Sequence, residues 1–267
     1  MSLHHFFLDD QVLSVEAGPR ILLRLAPDDL KHALVLRLEP GEHISVIDAS
    51  KDYFECCIEE LSRDGAVVSI CRRVDDFSAD EPQIVLLQGM AKGDKMDDIV
   101  RHATEVGVSA FVPLMCERSV VKLDAKKAAA RTQRWQSIAK SAAMQSGRLT
   151  VPEVCGPMSV RDATSAVSGA HLVLVFWEES GPTCLRDVIS DALARAFVGP
   201  EDARIAVVVG PEGGLTQDEV AILSSGPAGK VVSLGSTILR TETAGIVAPA
   251  LVAYELGGLG NNRNMQG

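Results

Sequence analysis

Apolar positions in the first part of the chain come in short runs separated by turn residues. Pro27 can open a helix, with Leu30, Ala33, Leu34 and Arg37 following at i, i+3, i+4 and i+7 and Pro40-Gly41 ending it. Three strands are then predicted: HISVID, DYFECCIEEL and AVVSICRRV. Arg63, Asp64 and Gly65 join the last two as a hairpin. Short strands with turns between them point to a small β-barrel. From Gln83 the rhythm becomes strand and helix in alternation. IVLLQGM reads as a buried strand. A helix starting near Asp94 aligns Ile99, Ala103 and Val106, with Gly107 at its C-terminal cap. VSAFVPLM, a long Ala-rich helix from about Asp124 to Gln145, LVLVFW, a helix near 185–197, RIAVVVG, a helix from Thr216, KVVSLG and a last helix from about Thr241 complete the series. Such a series predicts an α/β fold whose largely parallel sheet is flanked by helices. The acidic run VDDFSADEP, closed by Pro82, reads as the linker between the two regions.

The composition fits that division. The 267 residues are 46% hydrophobic but only 4% aromatic, so Val, Leu, Ile and Ala must fill the core. No apolar stretch reaches the ~18 residues of a spanning helix. The segment MSLHHFFLDD lacks the basic region and apolar run of a signal peptide, so a cytoplasmic protein is expected, with His4 and His5 in a frayed end. Six cysteines without a CxxC pair and six histidines without HExxH predict neither a disulfide framework nor a metal site.

The net charge of −10 argues against a simple nucleic-acid binder until it is divided. Residues 1–82 hold 8 Lys/Arg against 17 Asp/Glu, while residues 83–267 are nearly balanced. Within the latter, residues 118–148 carry eight cations (Arg118, Lys122, Lys126, Lys127, Arg131, Arg134, Lys140 and Arg148) against Asp124 alone. Lys127, Arg131 and Arg134 share one helical stripe, and Trp135, Ala139 and Ala142 form a neighbouring, buriable one. A stripe with so few compensating acids suits phosphate, although a solvated face is the plain alternative.

Two glycine-bearing segments follow strands. VVVGPEGGLTQDEV ends a strand in Gly210-Pro211-Glu212-Gly213-Gly214, and Thr216 with Glu219 fits a capping box. It is neither a Walker loop nor GxGxxG, which speaks against a triphosphate or a dinucleotide. Leu234-Gly235 ends the next strand, and Arg240, Thr241, Glu242 and Thr243 meet the start of an apolar helix, where Thr241 reads as the N-cap.

Taken in order, these segments resemble the RsmE-type 16S ribosomal RNA (uracil-N3)-methyltransferases of the SPOUT superfamily. GPEGG followed by LG-x-x-ILRTETA carries the likeness. Lys92-x-x-Lys95, Thr104-Glu105-Val106-Gly107-Val108, Pro113, Glu117-Arg118-Ser119, Gln145-Ser146-Gly147-Arg148 and Val151-Pro152 support it, as do His32, Val35-Leu36-Arg37 and Gly41 in front. The resemblance implies a PUA-like RNA-binding β-barrel over 1–75, a linker over 76–82, a SPOUT trefoil-knot methyltransferase domain over 83–257 and a flexible tail over 258–267. It implies S-adenosylmethionine held by Gly210, Pro211, Glu212, Gly213, Gly214, Leu234, Gly235, Ile238, Leu239 and Thr243. It further implies 16S RNA within the 30S particle as substrate, met by Lys92, Lys95, Arg118, Lys122, Lys127, Arg131, Arg134, Gln145 and Arg148, and a homodimer with the last helix at its interface. Arg240 is expected to favour ionised uracil. Glu242 or Glu212 either accepts the proton or orients Arg240 and the loop.

Two positions depart from the family pattern. Thr237 stands where an Arg is usual, and Met144 stands where a Glu is usual. If the acidic N-terminal region touches RNA, a local face such as Arg20, Arg24, Arg37, Arg72 and Arg73 must supply the contact. Methylation at another RNA position and a non-catalytic ribosome-assembly factor are the rival readings.

Overall fold

The computed structural model describes residues 3–74, 81–121, 123–181 and 183–259. Most of the expected linker, most of the expected tail, and Lys122 therefore lie outside the described residues. Packing divides the chain into two units, residues 1–79 with 143–149 and residues 80–142 with 150–267.

The first unit is a mixed five-stranded sheet. Its elements are β1 (His4–Phe7), β2 (Ile21–Leu23), α1 (Pro27–Val35), β3 (His43–Ile47), β4 (Tyr53–Ser62) and β5 (Gly65–Val74), with strand order β1-β3-β4-β5-β2. The hairpin falls where the turn residues placed it, Ser62 facing Gly65. The expectation of a frayed His4-His5 end is corrected: both belong to β1, which pairs in parallel with β3, and Phe6 beside them is 1% exposed. Three buried apolar residues, Phe6, Phe7 and Leu8, anchor this strand where a frayed end would have left them in water. The buried Asp48 carboxylate accepts the N–H groups of Leu13, Ser50 and Asp52, fixing the β3–β4 turn.

The second unit carries β6 (Gln83–Gly89), α2 (Lys95–Glu105), β7 (Val108–Met115), α3 (Ala125–Ser146, which runs on into the residues grouped with the first unit), β8 (Glu153–Val154), β9 (Met158–Ser159) and α4 (Val160–Ala166). It continues with β10 (Leu172–Phe176), α5 (Leu185–Ala196), β11 (Arg204–Val209), α6 (Gln217–Leu223), β12 (Gly229–Val232) and α7 (Thr241–Glu255). The strands pair in parallel in the order β12-β10-β11-β6-β7-β8, and β9 also pairs with β7. The sequence reading lacked β8, β9 and α4, which are too short for a periodic pattern.

Strand alternation explains the apolar runs. Ile205, Val207 and Val209 of β11 point to a core completed by α2, α3, α5 and α7, while Ala206 and Val208 point to one completed by α4 and α6. After β12, at the edge of the sheet, residues 233–240 return the chain to its middle, where α7 packs on α2, β6 and β11. That return is the crossing on which the implied knot depends. No helix among the described residues is long and apolar enough to cross a membrane.

Candidate active site

Ligands in parallel sheets bind beyond the carboxyl ends of the strands. Here the segments that follow β10, β11 and β12, with Lys95 of α2, surround a cavity of about 860 Å³. Each wall is held by hydrogen bonds made before any ligand arrives.

The loop after β11 is pinned from two directions. Thr216 and Glu219 form the expected capping box of α6. The same Glu219 carboxylate, buried at 7% exposure, accepts the N–H of Glu117 at 2.7 Å and so ties this loop to the one after β7. Arg118 Nη1 donates to the carbonyls of Gly213 (3.3 Å) and Leu215 (3.4 Å). Arg118, expected at phosphate, is thus a brace for the loop.

A buried clasp joins the other walls. Thr241 Oγ1 donates to the Gly210 carbonyl at 2.6 Å, and Gln88 Nε2 donates to Thr241 Oγ1 at 2.9 Å. Gln88 and Thr241 are 1% and 6% exposed. The end of β6, the loop after β11 and the start of α7 therefore meet through one hydroxyl. Gly245 leaves room for this contact, since a Cβ there would lie 2.4 Å from Gln88 Oε1. The expected N-cap role of Thr241 is corrected: Arg240 takes the N-cap position, and Thr241, one residue into α7, spends its hydroxyl on the clasp.

The charged groups gather around Lys95. Its Nζ lies 2.9 Å from Glu242 Oε2 and 3.2 Å from Glu212 Oε1, and the Lys92 N–H donates to Glu212 Oε1 at 3.0 Å. The hydrogen bond to Glu242, with help from Glu212, raises the Lys95 pKa. Burial pushes the Glu212 carboxyl up, but the N–H groups of Lys92 and of Glu212 itself, together with Lys95, outweigh it and hold it below the usual range. Glu242 is held low by its own backbone N–H at the start of α7, then by Lys95, with the Arg240 charge helping.

Of the residues expected to hold cofactor, Gly210, Pro211, Glu212, Gly214, Leu234, Gly235, Ile238 and Leu239 line the cavity, as does Arg240. Gly213 and Thr243 are exposed and are not in its lining. A Cβ on Gly213 would meet Arg118 Cβ at 3.0 Å, so this glycine admits the brace, whereas Gly235, at φ +110°, has nothing within 4 Å of where its Cβ would be. The sequence reading missed Gln88, Trp177 and Glu178. The polar Gln88 inside the apolar run IVLLQGM was the only available signal for the first, and no motif marks the other two.

The expected RNA-facing residues are dispersed. Lys95 is in the carboxylate cluster. Arg134 donates through Nε (2.9 Å) and Nη2 to one oxygen of Asp97, whose other oxygen accepts the Trp135 indole N–H at 3.1 Å. Lys127 is 3.4 Å from Asp124. Gln145 and Arg148 group with the first unit. In that unit Arg72 forms a two-point pair with Glu55, Arg73 meets Asp52, and Arg24 and Arg20 lie 3.5 and 3.9 Å from Glu16 and Glu60, so four of the five arginines of the suggested basic face are already matched by acids.

Comparison with known proteins agrees with this geometry. Residues 79–253 match the RNA methyltransferase domain family. The chain is 32% identical to ribosomal RNA small subunit methyltransferase E of Bacillus subtilis over 256 residues, covering 95% of this chain and 97% of that one. A Mycobacterium bovis protein of the same name is 33% identical over 221 residues, covering 81% and 79%. Among solved structures, a Neisseria gonorrhoeae ribosomal RNA small subunit methyltransferase E bound to S-adenosylmethionine superposes with a TM-score of 0.74 at 29% identity, covering 94% of this chain and 97% of that one. A Legionella pneumophila methyltransferase in complex with the same cofactor gives 0.76 at 28%, covering 95% and 98%.

Proposed function

This chain belongs to the ribosomal RNA small subunit methyltransferase E family, and we propose that it moves the methyl group of S-adenosylmethionine to N3 of a uridine in 16S ribosomal RNA. The observation that carries this reading is the cavity beyond β10, β11 and β12, with a cluster of Lys95, Glu212, Glu242 and Arg240 beside it.

The cavity fits the cofactor. Val209, Leu234 and Leu239 offer apolar wall, and backbone from 233–239 offers donors and acceptors suited to an adenine edge. The side chains of Glu178 and Arg240 line the cavity with no hydrogen bond or ion pair to the described residues, one charge of each sign for a ligand with a charged amino-acid end. Gly235 leaves open space where any other residue would place a side chain. The cofactor supplies a methyl carbon already activated by a sulfonium leaving group.

The protein's share is then placement and electrostatics. Arg240 favours ionised uracil. Glu212 and Glu242, both held below the usual carboxylate range, are weak proton acceptors. Their role in this reading is to hold Lys95 in place. Lys126, Lys127 and Arg131 of α3 meet RNA phosphates in the 30S particle, in the cytoplasm, with the N-terminal unit as a PUA-like RNA-binding domain. Leu251 and Tyr254 of α7 are 41% and 58% exposed, and they support a homodimer through that helix.

Calorimetric titration with S-adenosylmethionine tests the cofactor site. Saturable one-site binding is expected, and absence of binding by the folded protein refutes the reading.

A further inference from the structure

Lys95 was expected among the phosphate contacts, and its position gives it other work. It lies at the start of α2, 2.9 Å from Glu242 of α7 and 3.2 Å from Glu212 of the loop after β11, and its own side chain lines the cavity. An ammonium group has three N–H donors and no acceptor. The two carboxylates engage it as ion pairs at 2.9 and 3.2 Å, from two sides, which leaves at least one N–H for a further acceptor. The anchoring is firm for a lysine, because two separate segments hold the head of a flexible side chain in place. A group so held, with one donor uncommitted, is preorganised for an oxygen that becomes more negative during reaction.

The charge count leads to the same place. Glu212 and Glu242 with Lys95 carry −1, and Arg240, whose field reaches Glu242, brings the cluster to zero. Without Lys95 the cluster would be −1 and would oppose an anionic base. Lys92 and Asp94 precede Lys95 on its own segment, Glu212, Glu242 and Arg240 are the charges that the loop after β11 and the start of α7 present, and Glu178, after β10, is a further carboxylate of the cavity lining.

We propose that Lys95 is a catalytic residue, whose remaining N–H donates to a carbonyl oxygen of the target uracil and stabilises its ionised form. This rests on the uridine-N3 reading above. In the step, the uracil N3–H bond breaks and its proton passes to water. The N3 electron pair then forms the bond to the methyl carbon as that carbon's bond to sulfur breaks, the bonding pair leaving on sulfur as a neutral thioether. Charge that develops on the base is spread onto its carbonyl oxygens, where Lys95 and Arg240 act.

The test is single-turnover methyl transfer to 30S particles at saturating S-adenosylmethionine, from pH 6 to pH 10, for the wild type, Lys95→Gln and Lys95→Arg. For Lys95→Gln a loss of ~100-fold or more is expected at pH 7. The loss should shrink toward pH 10, where uracil ionises without help, so the bend of the pH–rate profile moves to higher pH. Lys95→Arg, which keeps the charge, should keep the bend near its wild-type position. Calorimetric affinity for S-adenosylmethionine should stay within about threefold in both variants, as the proposed contact is with the base. A loss by the same factor at every pH, a parallel loss of cofactor affinity, or a Lys95→Arg profile displaced like that of Lys95→Gln each overturns the proposal and leaves Lys95 a structural pin. A wild-type product other than N3-methyluridine would instead refute the reading of function, and it is read in the same reaction.

Discussion

Replacing Thr241 by Val removes one hydroxyl and keeps the shape of the side chain, which makes it a clean probe of the clasp. It removes the hydroxyl that the Gly210 carbonyl and the Gln88 amide share, leaving Gln88 Nε2 its bond to the Gly89 carbonyl at 3.1 Å and a long one to Gly210 at 3.5 Å. The expected cost is about 1–3 kcal/mol in urea unfolding, with Thr241→Ser close to the wild type. Gly235→Ala should act on binding: at φ +110° a Cβ is strained, and the methyl would project into space left open at the cavity wall. A fall of ~10-fold or more in calorimetric affinity for S-adenosylmethionine is expected, and an unchanged affinity would remove residues 234–239 from the cofactor site. Single residues were also where the sequence told least. Gly213 and Gly235 look alike in it, yet one makes room for Arg118 and the other borders the cavity, because a glycine's neighbours depend on contacts formed far along the chain. Lys95 and Arg134 read as cations for phosphate for the same reason. Their acidic partners, Glu212, Glu242 and Asp97, come from segments that periodicity cannot bring together.

Elements were legible where they were long. Strands β6, β10 and β11 and helices α2, α3 and α7 announce themselves by apolar runs or helical spacing, and Trp135, Ala139 and Ala142 are buried as their stripe requires. Short β1, β2, β8 and β9 have too few residues to show a period and owe their form to neighbouring strands. Asp97 joins α2 to α3, and Asp97→Ala leaves the buried Trp135 indole without an acceptor. Destabilisation of about 1–3 kcal/mol is expected by urea unfolding. This also recasts the basic stripe. Arg134→Ala should mainly loosen that junction. The double change of Lys127 and Arg131 to Ala should flatten the log K against log salt slope for RNA binding by roughly 0.7 to 0.9 per lost phosphate contact. An unaltered slope would make the stripe an ordinary solvated face. The Lys95 cluster gives a pH signature. The two carboxylates titrate below their ordinary values and the lysine above its own. Its stabilisation is therefore complete from about pH 5 to about pH 10. It is lost as pH falls through the lowered carboxylate values and as pH rises through the raised lysine value. The stability difference between the wild type and Lys95→Gln, followed by urea unfolding across pH, should be level inside that window and shrink on both sides.

At the scale of the whole molecule, the alternation of strands and helices indicates a parallel α/β sheet, and the ordered motifs indicate the family. The return of the chain from β12 to the middle of the sheet is invisible to periodicity, yet it brings Arg240 and Glu242 to Lys95. Every residue given a part in the chemistry depends on that crossing and on the cavity beside it. The product of the reaction tests this account most directly. The protein is incubated with S-adenosylmethionine and 30S particles lacking the modification, and the 16S RNA is digested to nucleosides for mass spectrometry against authentic standards. The account predicts N3-methyluridine formed at one position in amounts approaching one per particle, whereas a ribose-methylated nucleoside, a methylated base other than uracil, or no methylated product would contradict it.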